Sequence, residues 1–412
     1  MNILFVADVS IANVASGSER VLHEQCTRLA RKGHKIHLLT RRLPGHKSPT
    51  ETFDGVKEWR YSFSQKLPYP LRSIFFHCRR SFNAIQGESS SHLINFHQPF
   101  SAAGVLSSSA SRGITTFYTC HSLSFQEYAS QSPAPTNAKE RLLYRLQLHA
   151  RRLTEKTALR KSNHIVVLSE YTKEKLESTY SLPPEKIYVI PAGVDLTRFR
   201  PKDDKQSFRN LLGIPNGHFT LLTVRNLEPR MGLENLIQAF KIILAEKAHV
   251  SLVVGGEGPL AQDLKSLARK SGVENNVKFV GYIPEEELPC YYQMADLFIL
   301  PTRELEGFGL VTVEALASGL PVFGTPVGGT KEILAHMGPE FLFSDTAPES
   351  MARLTLESIK DWARNPQIYN EISQKCRRVA ENHFSWDTHV TRLENLFQVT
   401  VQKSSANTAN GI

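Results

Sequence analysis

Short apolar runs alternate with stretches in which apolar residues recur every three or four positions, and this alternation persists for most of the chain. Runs of the first kind are strands buried on both faces, and stretches of the second kind are helices with one apolar side. In the first half the strands are predicted at 3–8, 35–41, 92–97, 114–120, 164–169 and 186–190, with helices at 18–31 and 138–161. The β-α-β-α order predicts parallel sheets covered by helices on both faces. Segments 42–56 and 128–137, rich in Pro, Ser, Thr and Gly, are expected to be loops, either mobile ones near an acceptor site or plain surface loops. The rhythm breaks at Pro191-Ala192-Gly193-Val194-Asp195 and through Lys202-Asp203-Asp204-Lys205, where a linker is expected. It then restarts with strands at 219–225, 250–254, 277–280 and 297–300 and helices at 233–246, 259–270, 285–295 and 309–318. After about residue 348 only helical patterns remain, ending in an amphipathic segment from Trp386 to about Val401. The expectation is an α/β protein of two doubly wound domains.

Length agrees, since 412 residues suit two cores better than one. Two cores imply a cleft. Five scattered cysteines, Cys26, Cys78, Cys120, Cys290 and Cys376, show no metal-binding or disulfide spacing and fit a reducing cytoplasm. The opening Met1-Asn2-Ile3-Leu4-Phe5-Val6-Ala7-Asp8 reads as a strand rather than a signal peptide. No apolar stretch reaches the roughly 18 residues of a spanning helix. The formal charge of +9 is uneven: residues 1–195 hold 26 Lys and Arg against 15 Asp and Glu. That basic half is either a plain solvated face or a surface for phosphate-rich partners, such as anionic lipid at the inner face of the membrane or a phosphorylated acceptor. Nucleic acid is not expected as a partner.

The richest stretch runs from Pro301 to Gly319, after one strand and into a helix. Ligands of open α/β sheets bind at this end of a strand. Gly307 and Gly309 let backbone N–H groups approach an anion, and the helix starting near Gly309 aims its positive end at the same point, which suits a diphosphate. Glu306 precedes the helix, whereas Glu314 lies five residues beyond Gly309, about 7.5 Å along the axis at 1.5 Å per residue. Carboxylates accept from hydroxyls, so Glu306 is assigned to the transferred sugar and Glu314 to a ribose.

This stretch resembles the E-x7-E signature of glycosyltransferase family 4, retaining enzymes with two facing Rossmann-like domains, the GT-B arrangement. Pro191-Ala192-Gly193-Val194-Asp195 with Phe199, Gly255-Gly256-Glu257-Gly258-Pro259, Gly319-Leu320-Pro321-Val322, Gly328-Gly329-Thr330-Lys331-Glu332 and Phe384-Ser385-Trp386 extend the resemblance over nearly the whole chain. It implies an acceptor domain at 1–196, completed by a C-terminal helix at about 384–402, a donor domain at 197–383 and a disordered tail at 403–412. It implies catalytic roles for Glu306 and for His121, which matches a histidine that faces the sugar. Donor contacts are implied at Gly17, Glu257, Gly307, Phe308, Gly309, Leu310 and Glu314. One departure stands out: Val224-Arg225-Asn226-Leu227 and Met231-Gly232 replace the usual Gly-Arg-Leu and Lys-Gly, so both expected cations are missing from their places. Arg225 and Arg230 each lie one position earlier and are expected to substitute, with Asn226 donating a hydrogen bond.

The expected reaction is transfer from a UDP-, GDP- or ADP-sugar to a hydroxyl of a carbohydrate or lipid-linked acceptor, with retention at the anomeric carbon, in polysaccharide or glycolipid biosynthesis. It proceeds by one front-face step or by two displacements. No D-x-D motif is placed to carry a metal on the phosphates, and neither metal nor cofactor is expected. A dinucleotide-dependent oxidoreductase or epimerase would need a G-x-G-x-x-G turn that residues 8–17 lack. The alternative is a catalytically impaired GT-B binding protein, resting on Asn226 and Met231 alone.

Overall fold

The computed structural model describes residues 1–12, 16–43, 45–62, 70–132, 135–202 and 204–409, apart from the side chains of 70–73 and 404–409. The chain forms two compact units, Met1–Pro191 with Asp387–Ile412, and Ala192–Trp386.

Among its described residues the first unit holds eight strands: β1 (Asn2–Val6), β2 (Lys35–Arg41), β3 (Thr50–Phe53), β4 (Val56–Tyr61), β5 (Leu93–Phe96), β6 (Thr115–Cys120), β7 (His164–Val167) and β8 (Ile187–Val189). Their order is β3-β4-β2-β1-β5-β6-β7-β8, parallel except for the β3–β4 hairpin. Successive side chains of β1 enter opposite layers. Leu4 and Val6 join one buried cluster with Phe82, Phe96 and Tyr118, while Ile3 and Phe5 join another with Leu22, Leu38 and Phe117. Burial on both faces is why β1 is apolar without alternation. Val390, Leu393 and Phe397 of the C-terminal helix Trp386–Ala409 also lie in the second cluster, so that helix is part of the first unit's core. The helix Gly17–Arg31 begins at a capping box, in which Ser16 accepts from the Glu19 amide and Glu19 accepts from the Ser16 amide.

The second unit holds β9 (Phe219–Val224), β10 (Val250–Gly255), β11 (Val277–Gly281), β12 (Leu297–Leu300) and β13 (Val322–Gly324), in the order β11-β10-β9-β12-β13, all parallel. Every residue of β10 and β12 is buried, as layers above and below the sheet require.

Three expectations need correction. Segment 42–56 is not one loop, because it contains β3 and begins β4, joined through Asp54 (φ 45°) and Gly55 (φ 79°) in the doubly left-handed turn that suits hairpins. The side chains of β3 lie largely in solvent, so no apolar alternation marks them and only the ladder makes them a strand. Segment 128–137 begins within the helix Ser124–Gln131 and ends at Asn137, which caps the helix Ala138–Lys161; residues 133–134 lie outside the described residues. The helix from Trp386 continues to Ala409, through most of the expected tail, and residues 410–412 lie outside the described residues.

Candidate functional site

Strand order reverses once in each sheet, and connections leaving the two central strands in opposite directions open a crevice at their carboxyl ends. In the second unit these strands are β9 and β12. Arg225 is the first residue after β9, and the loop after β12 carries Thr302 and Glu306. The Arg225 Nη2 stands 2.5 Å from Glu306 Oε2 and 3.3 Å from Thr302 Oγ1, while the Thr302 hydroxyl donates to the same carboxylate oxygen at 3.2 Å. Both ends of the ion pair are buried, with side-chain exposures of 5% and 11%. The Met231 sulfur lies against the guanidinium, 2.7 Å from Nη2. Arg225 Nε is buried without a partner among the described residues.

Glycines bring the backbone of these loops together. A Cβ on Gly256 (φ 119°) would lie 1.9 Å from the Arg225 carbonyl oxygen, and one on Gly328 (φ 61°) would lie 2.1 Å from that of Glu306. The Gly329 amide donates to the Glu306 carbonyl at 2.9 Å. Leu305, just before Glu306, has a left-handed φ of 60°, a conformation that costs a leucine on the order of 1–3 kcal/mol. Arg230 holds this turn, donating to the Leu305 carbonyl at 3.0 Å and pairing with Glu228 at 3.2 Å.

Gly309 (φ 96°) caps the helix Leu310–Ala317 and has no side chain to bond its first amides. The helix dipole therefore presents partial positive charge at a point beside Glu306. A Cβ on Gly309 would lie 3.2 Å from Thr312 Oγ1 and 3.4 Å from Thr330 Oγ1. Both hydroxyls are fully buried and lack a partner among the described residues. Two orphaned hydroxyls beside an open helix start suit a small anion, which would satisfy them. Glu314, one helical turn onward, is buried and accepts from the Tyr292 hydroxyl at 2.8 Å.

The structure thus gathers Arg225, Glu306, Gly307, Gly309 and the half-buried Leu310 around one loop and helix start. Phe308 is buried and packs edge-on to Phe384, 6.0 Å between ring centres. Asn226 and Glu257 are exposed. Sequence reasoning missed Thr302, Thr312 and Tyr292. Thr302 and Thr312 lie inside the Pro301–Gly319 stretch and Thr330 inside the Gly-Gly-Thr-Lys-Glu segment, so only their roles were hidden, whereas nothing in its local pattern marks Tyr292.

In the first unit the reversal falls between β1 and β5. Asp8 lies just beyond β1, accepts from the Tyr61 hydroxyl at 2.9 Å and is raised above the usual carboxylate range by burial. His97 follows β5 and His121 follows β6. The Thr119 hydroxyl donates to Asn95 Oδ1 at 3.0 Å, which turns Asn95 Nδ2 toward His97 Nε2 at 3.4 Å. His97 Nε2 is then an acceptor, so the proton of a neutral ring sits on Nδ1, 3.0 Å from His121 Nε2. By the same logic His121 carries its proton on Nδ1, which is buried with no partner among the described residues. Both rings are neutral, because burial pushes His97 well below its ordinary value and His121 down to about 4. His121 therefore offers one N–H donor. Gly17 is the first residue of its helix, close in sequence to residues 13–15, which lie outside the described residues.

Among the described residues no group of three or more His, Cys, Asp or Glu could hold a metal ion, and no helix is long and apolar enough to cross a membrane.

Two family models match the chain, "Glycosyltransferase Family 4" over residues 15–198 and "Glycosyl transferases group 1" over residues 204–382. Mannosylfructose-phosphate synthase of Agrobacterium fabrum is 27% identical over 391 residues, covering 88% of this chain and 82% of that protein. An uncharacterized glycosyltransferase of Methanocaldococcus jannaschii is 28% identical over 244 residues, 58% of this chain and 61% of that protein, so this match spans about three fifths of the relative. Among solved structures, sucrose-phosphate synthase from Thermosynechococcus elongatus superposes with a TM-score of 0.79 at 21% identity, covering 98% of this chain and 100% of that one. Anabaena HepE in complex with UDP gives 0.73 at 17% identity, covering 97% and 100%. The fold is GT-B, built from two α/β units with parallel sheets.

Proposed function

The chain belongs to glycosyltransferase family 4, and from that premise we propose a retaining enzyme that takes a sugar from a nucleoside diphosphate donor held by its second unit. The observation that carries this reading is the convergence of Arg225, the open start of the helix at Gly309 and the unpartnered Thr312 and Thr330 hydroxyls beside Glu306. The bond from the anomeric carbon to the donor oxygen breaks with its electron pair moving onto the diphosphate. Donors already aimed at that growing charge lower the barrier without reorganising. Arg225 supplies the nearest cation. Arg230 contributes by fixing the Leu305 turn, since its guanidinium is already shared between Glu228 and a carbonyl.

Glu306 is the acceptor for a hydroxyl of the transferred sugar, and Arg225 together with Thr302 orients its carboxylate. Glu314, set by Tyr292, takes the ribose. His121 donates its Nδ1–H to a substrate oxygen. Gly17, Asn226 and Glu257 are donor contacts on the family resemblance alone. The acceptor is a hydroxyl of a carbohydrate or lipid-linked glycan, and the nucleotide is UDP, GDP or ADP; the UDP complex of Anabaena HepE supports the first. Charge neutralisation by a helix start and an arginine supports a metal-independent reaction. Five cysteines that are all unpaired support a reducing, cytoplasmic setting.

The test is a screen of UDP-, GDP- and ADP-sugars for slow hydrolysis by the purified protein, with the anomer released read by NMR. One nucleotide class should be cleaved with retention. Hydrolysis of none of them, together with no thermal shift from any nucleoside diphosphate, overturns the assignment.

A further inference from the structure

The helix Ala138–Lys161 is built on two opposed stripes. Its inward stripe is anchored in the first unit. Tyr144 stacks on Tyr128 with ring centres 6.0 Å apart, Gln147 accepts from the Tyr128 hydroxyl at 2.5 Å, and the Arg151 guanidinium lies 4.3 Å from the same ring. Glu155 is fully buried, accepting from the Ser124 amide at 2.8 Å and from the Tyr180 hydroxyl. At 100° per residue, Leu142, Leu146 and Leu153 fall within a sector of about 40° on the side opposite that stripe. They are 61%, 58% and 56% exposed. With Leu143 they make up four of the ten large exposed hydrophobics among the described residues. The middle of an outward face is where a helix in water places polar groups, and this one places leucines.

The flank of the leucine ridge is basic. Arg141, Arg145, Arg152 and Lys156 occupy one side of it at the same helical spacing. The two acids of the helix are turned to other tasks. Glu155 is buried, and Glu140 accepts from the Thr136 amide and hydroxyl at the helix start.

We infer that this face docks on an anionic phospholipid surface, the leucines entering the acyl boundary while the arginines meet headgroup phosphates. An interfacial helix requires both features, an apolar ridge with cations beside it and no acid on the outward sector. A second copy of the chain across a twofold axis would bring like charges together. A nucleic acid would use the cations and leave the leucines in water. The inference deepens the proposed function by giving it a lipid-borne acceptor's surface, and it rests on that reading only for its purpose, not for its test.

The full-length protein is sedimented with vesicles of phosphatidylglycerol mixed with phosphatidylcholine, and with phosphatidylcholine alone, with no donor present. Wild type should bind the anionic vesicles and release them in high salt. The double variant Leu142→Glu/Leu146→Glu should lose about tenfold or more in partitioning, and Arg141→Gln/Arg145→Gln/Arg152→Gln a comparable amount. Both variants should keep the wild-type melting temperature and the wild-type rate of soluble donor hydrolysis. Wild type that stays in the supernatant, leucine variants that sediment like wild type, or a wild-type dimer that the leucine variants convert to monomers overturns the inference. Vesicle binding without hydrolysis of any donor overturns the proposed function and leaves the docking face standing.

Discussion

The two sheets reverse at equivalent places and equip those places in opposite ways. Beyond β9 and β12 the second unit buries a full ion pair, Arg225 with Glu306. Beyond β1, β5 and β6 the first unit buries Asp8, His97 and His121, with Asp8 raised and the histidines lowered by burial. A charge survives burial only where an opposite charge and hydrogen bonds replace water. The second unit meets that condition. At the strand ends of the first unit burial instead raises Asp8 and lowers both histidines, and the hydrogen bonds there order the imidazole protons. One topology thus yields an ionic site suited to phosphate and a neutral one suited to hydroxyls.

The largest expected effect breaks the ionic half. Glu306→Gln should cost about 10²–10³ in kcat while keeping an oxygen for Arg225, so its melting temperature should stay close to wild type. Glu306→Ala should lose activity and also about 3–5 kcal/mol of stability, because Arg225 is left buried and alone; chemical denaturation alongside initial rates separates the two variants. Arg225→Met should lower kcat/KM by about 10² and remove most of the thermal shift that nucleoside diphosphate confers, a shift worth about 2.7 kcal/mol at 100 times its Kd in the wild type. Equal shifts in both proteins would take Arg225 out of donor binding.

The neutral half should respond more gently. His121→Phe should cost about 10-fold to 10²-fold in kcat, and Asn95→Leu a few-fold, because the latter frees the His97 proton without removing the His121 ring. A rate profile that loses its acid limb near pH 4 in His121→Phe would make His121 an acid or base rather than a fixed donor. Stability gives the next comparison. His389, also in the first unit, is held down to about 4 by burial, against an ordinary value of 6.5. Its folded-state value is depressed, so the unfolded chain takes up a proton first. Stability is complete above about pH 6.5 and falls as the pH drops toward 4, by up to about 1.4 kcal/mol for each pH unit. The advantage of wild type over His389→Gln in urea unfolding should therefore shrink between pH 7 and pH 4. The smallest expected effect is none: EDTA should leave the transfer rate unchanged, and a loss restored by a divalent ion would contradict the metal-free reading.

Most of the fold was legible because most strands are buried on both faces and announce themselves as apolar runs. β2 and β12 match their expected bounds residue for residue. β3 escaped for the opposite reason, since its Thr-Glu-Thr-Phe sequence lies in solvent and its ladder leaves no mark on hydrophobicity. The short β13 has only three residues, too few for a period. The helix Pro70–Glu88 is absent from the expected elements as well: its buried stripe of Ile74, Cys78, Phe82 and Ile85 is blurred by Phe75, Phe76, Arg79 and Arg80 beside it. At the site, Glu306, Gly309 and Glu314 were readable because they sit on one contiguous stretch. The pairing of Arg225 with Glu306 was not, since 81 residues separate them and only strand order brings them together. The proton order through Asn95, His97 and His121 was hidden likewise, being a property of three side chains on two adjacent strand ends.

Gly328 shows what such close packing implies for heritable change. Its neighbour is the carbonyl of Glu306 rather than any ligand atom, and there is no room between them for even one methyl group. A codon change there would push the carboxylate loop aside as surely as altering the acid itself. In a random mutagenesis screen, inactivating lesions should therefore gather at Gly328 and Gly256 as well as at Glu306. Asn226 and Glu257, open to solvent, carry no such packing constraint, so changes there should leave folding intact and alter only what the donor contributes to the rate.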